Sequence, residues 1–212
     1  MTASTDLRAS PLGAWSARFA AASAALERFA IRELPFTAQI NLRGNPAEAA
    51  FAGHAAQALG TPLPQPANTW TGGNECTVLW LGPDEWLVAA ADGRAEALCG
   101  ALRRALAGTH HSVTDLSANR TAIEISGDDA RSVLAKGTSL AMHAAAFAPP
   151  QCAQSWLAKA QVILQCCEVR PVFRLYVRNS FADYLACWLV DAATESGASL
   201  EHDARRIASR LA

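Results

Sequence analysis

Apolar and polar positions alternate most cleanly from Phe36 onward. Phe36, Ala38, Ile40 and Leu42 interleave with Thr37, Gln39, Asn41 and Arg43, the period-2 pattern of a strand with one buried face. Upstream the period changes. Trp15, Phe19, Ala22, Leu26 and Phe29 recur at spacings of three and four, which predicts a helix from about Ala14 to Phe29, ended by Leu34-Pro35. Such a stripe needs a cover, either the domain behind it or a partner, so residues 1–35 read as a docking arm with Trp15 and Phe19 as candidate subunit contacts.

After the first strand, Asn45-Pro46 fits a helix start, with Asn45 as N-cap and Pro46 in the first turn. Ala47, Ala50, Phe51, Ala55, Ala58 and Leu59 mark its buried face, and Gly60 stops it. Residues 61–66 carry three prolines and form an extended connection. Val78 to Val88 then places two apolar runs around Gly82-Pro83-Asp84-Glu85. Pro83 presets φ for the second position of a type I turn, and Asp84 suits the bend. This is a hairpin with Trp80 on one strand and Trp86 on the other. One of the two is expected in the core, and the other partly exposed and open to a partner. A helix from about Arg94 to Leu106 follows.

The same grammar repeats after His110. His111–Ser117 and Thr121–Ile125 read as strands, and Gly127-Asp128-Asp129 opens a short helix that Gly137 closes. Beyond Pro149-Pro150 come three strand-like runs, 153–158, 162–166 and 172–177. Ser180-Phe181-Ala182-Asp183 has the form of a capping box, and its helix is expected to bury Phe181, Tyr184, Leu185, Trp188 and Leu189 on one face. The fold class is therefore α+β: a duplicated strand, helix, antiparallel strands, helix unit. Residues 36–192 form the body, and 193–212 a helical tail.

Composition excludes several function classes. A formal net charge of −1 leaves no electrostatic footprint for nucleic acid or an anionic membrane. The N-terminus lacks a basic region followed by an apolar core, and Arg18 interrupts the alanine-rich run, so a cytoplasmic, soluble protein is expected. The six cysteines form no C-x-x-C pair and no zinc-type spacing, which points to reduced thiols packed as small hydrophobes.

Candidate chemistry is sparse. His111, Asp115 and Ser117 are the residue types of a hydrolytic triad, but alternate strand residues lie about 7 Å apart, too far for a nucleophile and its base. Asp115 and Ser117 suit the turn at Ala118-Asn119 instead. Thr71-Gly72-Gly73-Asn74 lacks either phosphate-loop spacing, Asp84 and Glu85 are adjacent turn charges, and His143 reads as a structural hydrogen-bonder. No catalytic, cofactor-binding or metal-ligating residue is assigned. Arg120, beside Asn119 after a turn, is either a surface charge or half of an intersubunit ion pair.

Five stretches resemble one family. They are Leu79–Trp86, Asp115–Thr121, Leu134–Gly137, Cys152–Lys159 and Arg178–Tyr184, and in that order they look like the gamma subunit of bacterial heterotetrameric sarcosine oxidase. The resemblance runs from about Ser10 to Ala192. It implies a fold related to the folate-binding portion of the glycine-cleavage aminomethyltransferase. It also implies alpha, beta and delta partner subunits that carry FAD, FMN, NAD, zinc and tetrahydrofolate, leaving this chain a non-catalytic structural role. The alternative is a stand-alone folate-binding or aminomethyltransferase-like protein. The family pattern breaks at Thr138–His143, where Cys and then Leu-Asp-Leu-His are expected.

Overall fold

The computed structural model describes residues 8–211, with side chains described for residues 8–195. The first seven residues of the expected arm, and Ala212, lie outside the described residues. The chain builds helix α1 (Ser16–Ala25), strands β1 (Ala30–Leu34) and β2 (Ala38–Gly44), α2 (Ala49–Leu59), β3 (Trp70–Gly72), β4 (Cys76–Gly82), β5 (Glu85–Ala90), α3 (Ala95–Ala105), β6 (His111–Asp115) and β7 (Arg120–Ser126). It continues with α4 (Ala130–Ala135), β8 (Cys152–Leu157), β9 (Ala160–Glu168), β10 (Val172–Arg178) and α5 (Asn179–Leu211).

Two five-stranded antiparallel sheets result, with strand orders β3-β4-β5-β2-β6 and β8-β9-β10-β7-β1. The orders correspond strand for strand, so the duplicated α+β unit read from the sequence is present. One position is filled differently. The first sheet ends in β6, which follows α3, whereas the second borrows β1 from the N-terminus, pairing Ala30–Leu34 with Ser126–Ala122.

Each sheet buries its outer face under helices. Ile40, Leu42, Val78, Trp86 and Val88 pack under α2 and α3 with Phe51, Ala55, Leu98 and Leu102. Ile123, Ile125, Leu164, Phe173 and Leu175 pack under α1, α4 and α5 with Phe19, Val133, Leu134 and Leu185. The inner faces meet through a smaller cluster of Leu79, Leu87, Ala89, Ala122, Cys152, Ile163 and Tyr176. The edges are stitched too. Thr69 and Gln151 form a β-bridge, and Trp70 Nε1 donates to the Cys166 carbonyl at 2.9 Å.

Several local expectations change. Of the two covers considered for the helical stripe, the domain itself supplies one: β1 is an edge strand, and Trp15 and Phe19 are 6% and 3% exposed within the chain's own core. The helix stops at Ala25 because Leu26 turns extended, which frees Ile31 to enter the sheet. Asn45 caps a turn, its Oδ1 accepting from Ala47 N, and α2 begins only at Ala49. Gly60 does end α2, with φ at +67°. The capping box does not close around α5. Asp183 accepts a 2.7 Å hydrogen bond from Trp15 Nε1 instead, tying the N-terminal helix to the last one.

The buried face of α5 also differs. Ala182, Leu185, Ala186 and Leu189 lie against the sheet, while Phe181 and Tyr184 are 41% and 36% exposed. Small residues win that face because the helix sits close to β7, β9 and β10. Trp188 is half-buried over Gly137, where a Cβ would overlap the indole.

Candidate functional site

The inner face of the second sheet carries most of the molecule's buried charge, and β7 and β10 set its geometry. Their register places Arg174 opposite Glu124 and Arg178 opposite Arg120. Strand periodicity sends these residues to the inner face because Ile123, Ile125, Phe173, Leu175 and Val177 occupy the outer one.

At the Glu124 end the charges are matched. Glu124 is 8% exposed and receives Arg32 Nε at 2.8 Å and Arg174 Nε at 3.0 Å. Burial alone would raise its carboxyl pKa. The hydrogen bonds and charges of the two guanidiniums outweigh burial, and the net pKa lies below the ordinary carboxylate value. Cys167, next door, has its thiol pushed up to about 12, by burial first and with Glu124 adding to it against Arg174.

At the other end no carboxylate among the described residues reaches hydrogen-bonding distance. The Nη1 of Arg120 is buried and has no hydrogen-bond partner among the described residues. Burial, and then the positive charge of Arg178, lower its pKa, with Glu85 acting in the opposite sense. A guanidinium nevertheless stays charged at neutral pH. Glu85 itself is engaged by Asn41 Nδ2 at 2.7 Å. The backbone here is held firmly: Gln39 is fully buried and its Nε2 donates to the Arg120 carbonyl at 3.0 Å.

A cleft of about 230 Å³ opens over this end, lined by Arg120, Arg178, Gln154, Gln161, Trp156 and Tyr176 among others. Gln154 Nε2 donates to the Leu81 carbonyl, joining the cleft to the hairpin of the first sheet. The Tyr176 hydroxyl donates to Gln165 Oε1 at 3.2 Å, and burial raises its pKa. Cation, amide and indole surfaces are offered here, while the tyrosine is already committed.

The other candidates are dispersed. Ser117 Oγ and N both donate to Asp115 Oδ1, at 2.6 and 2.9 Å, forming a turn, and His111 Nδ1 is engaged with the Thr109 carbonyl, so no triad assembles. Thr71–Asn74 belongs to the β3–β4 hairpin, where Gly73 N donates to the Cys76 carbonyl. Asp84 accepts from Arg43 Nη2 at 2.8 Å. His143 Nδ1 accepts from Ala145 N at 3.2 Å. Four cysteines are buried, and all six are free thiols. Burial raises the thiol of Cys152 to about 12, far from thiolate reactivity.

Of the aromatic interface candidates, Trp15 and Phe19 pack inside the chain. Trp86 is 1% exposed, with Nε1 donating to the Pro64 carbonyl at 3.0 Å. Trp80 is half-buried. The expected division of the hairpin pair is present, but the two residues face each other across β4 and β5 on one side of the sheet. Their difference comes from strand position, since β4 lies next to the short edge strand β3. Sequence reasoning missed Trp156 and Arg178 as site residues. The signal was there in part: Arg174, Tyr176 and Arg178 alternate with Phe173, Leu175 and Val177, marking a polar face on a central strand.

A model of the sarcosine oxidase, gamma subunit family matches residues 43–195. A sarcosine oxidase subunit gamma of an Arthrobacter species is 39% identical over 193 residues, covering 91% of this chain and 93% of that protein. The subunit gamma of Corynebacterium sp. strain U-96 is 37% identical over 203 residues, covering 94% and 96%. Among solved structures, the heterotetrameric sarcosine oxidase from Corynebacterium sp. U-96, in complex with pyrrole 2-carboxylate, contains a chain that superposes with TM-score 0.80 at 35% identity, covering 89% of this chain and 96% of that one. The glycine cleavage system aminomethyltransferase T from Bartonella henselae superposes with TM-score 0.59 at 15% identity over 77% of this chain and 45% of that protein, a likeness of fold alone. With sequence, length and fold in agreement, the chain belongs to the sarcosine oxidase gamma subunit family.

Proposed function

We propose that the chain works as the gamma subunit of a heterotetrameric sarcosine oxidase, beside alpha, beta and delta subunits in the cytoplasm. The complex oxidises sarcosine with O2, yields glycine and hydrogen peroxide, and passes the one-carbon unit to tetrahydrofolate. The carrying observation is the match to a chain of a heterotetrameric sarcosine oxidase, which covers 89% of this chain and 96% of that one. In this reading the chain supports assembly and does no chemistry of its own.

Among the described residues no group of three or more His, Cys, Asp or Glu is placed to hold a metal ion, which does not fit zinc. The one glycine pair that invites a phosphate is a hairpin turn. In this reading FAD, FMN, NAD, zinc and tetrahydrofolate belong to the other subunits, and no step is routed through this chain. Among the described residues no helix is long and apolar enough to cross a membrane. Likeness to the aminomethyltransferase carries no folate site here.

Co-expression with the three other subunits, and purification through a tag on this chain, tests the proposal. A four-subunit particle that consumes O2 with sarcosine is expected. A chain that elutes alone while the remaining subunits form a fully active oxidase would end the reading.

A further inference from the structure

The cleft over Arg120 and Arg178 brings together three independent observations. Two guanidiniums face each other across β7 and β10, and neither has an ion pair among the described residues. One of them holds a buried donor with no partner. Trp156, 57% exposed, stands beside them. Facing like charges on neighbouring strands destabilise a sheet, and buried polar groups are ordinarily paired. In the isolated chain the two guanidiniums stay opposed and the buried Nη1 stays without a partner among the described residues.

We propose that this cleft receives an acidic side chain, Asp or Glu, of another oxidase subunit, with its carboxylate between Arg120 and Arg178 and its backbone segment against Trp156. The inference rests on the reading of the chain as an oxidase subunit and names one surface that reading needs. The chemistry selects the ligand class. Guanidinium forks match carboxylates bidentately, and the exposed amides of Gln154 and Gln161 sit at the same cleft. A protein source is favoured over a free metabolite by size and rim. The space is about 230 Å³, below the roughly 300–1,000 Å³ of dedicated small-molecule sites. Tryptophan and arginine are also the residues that dominate interface energetics. The seat is preorganised, since β7, β8, β9 and β10 are paired throughout and Gln39 and Gln154 lock the cleft to the first sheet.

The test measures reassociation of this chain with its purified partner subunits across a salt series. Arg178→Gln should weaken association about 10-fold, and Arg120→Gln with Arg178→Gln about 100-fold or more, with a shallower salt dependence. Trp156→Ala should weaken it about 10-fold. Arg178 is exposed and free of ion pairs among the described residues, so Arg178→Gln keeps its fold, which circular dichroism and melting of the free variant verify. Equal affinity for wild type and the double variant overturns the cleft while the subunit reading stands. A wild-type chain that never associates removes the subunit reading, and the cleft with it. In a second arm, sodium acetate and sodium glutarate are titrated into the isolated chain. Tight binding that the double variant abolishes, with assembly untouched, would make the site one for a free carboxylate and overturn the proposal.

Discussion

β7 and β10 carry the same device twice with opposite outcomes. At one end Arg174 faces Glu124, which Arg32 also reaches, and three charged groups satisfy one another. At the other end Arg120 faces Arg178 with no carboxylate between them. Both ends share strands, sheet face and residue types. What differs is whether a carboxylate of this chain reaches the guanidiniums: Glu124 bonds two of them, whereas Glu85 acts on Arg120 only through space while bonded to Asn41. The matched end belongs to the stability of the fold. The unmatched end weakens the isolated fold, so its account lies in something the isolated chain lacks.

Glu124 holds the matched end closed. Glu124→Gln leaves Arg174 half-buried beside a neutral amide. Losing one partner of a buried pair costs about 3–5 kcal/mol. The exposed outer parts of Arg32 and Arg174 bring the expected loss to about 3 kcal/mol at neutral pH, a drop of about 6–12 °C in melting temperature. A loss below ~1 kcal/mol would show that the two ends do not differ.

Acid sharpens the same point. The folded carboxyl pKa of Glu124 lies below its unfolded value of about 4.3. Its contribution is thus fully present above that pH and is lost as pH falls through the depressed value. Chemical denaturation of wild type and Glu124→Gln should converge as pH falls below the unfolded carboxylate value of about 4.3 and through the depressed folded one. Parallel curves would mean the carboxylate is not the element that closes this end.

Cys167 reports on it locally. Its thiol stands at about 12, with burial the main cause and Glu124 contributing. Alkylation by iodoacetamide at mildly alkaline pH should be slow in wild type and several-fold faster in Glu124→Gln, where Arg174 acts unopposed. Mass spectrometry of the modified peptide distinguishes this from reaction at the exposed Cys187. The smallest effect belongs to the open end. Arg178→Gln should change the free chain's stability by less than about 0.5 kcal/mol. A larger loss would reveal a partner for Arg178 within the chain.

Period-2 alternation made β2 legible at once, because Ile40 and Leu42 face one layer and Gln39 and Asn41 the other. The hairpin was legible from Pro83 and its flanking runs. Ala30–Leu34 was not, since five residues after a helical stripe read as its fraying end, and their strand identity is conferred by β7 some ninety residues later. The face of α5 was misjudged because large side chains drew it toward Phe181 and Tyr184, whereas close packing on the sheet favours Ala182 and Ala186. Asp183 looked like a cap until Trp15, 168 residues away, supplied a better donor. At the cleft, periodicity states which face Arg120 and Arg178 share. Only the β7–β10 register states that they oppose each other, and register between distant strands follows from packing, not from local pattern.

The borrowed edge strand has a consequence for the order of events during synthesis. Residues 38–115 form a sheet whose partners are contiguous in sequence, so it can close as soon as it leaves the ribosome. β1 is made earlier yet has to wait, because its partner strand among the described residues, β7, ends at Ser126 and rests in turn on β10, which ends at Arg178. For most of translation the first strand of the chain is an unpaired edge, and the loop that it finally closes encircles the whole of the other sheet. A strand from the middle of the chain thus captures the first, and an N-terminal truncation is felt chiefly in the sheet that β7 and β10 share.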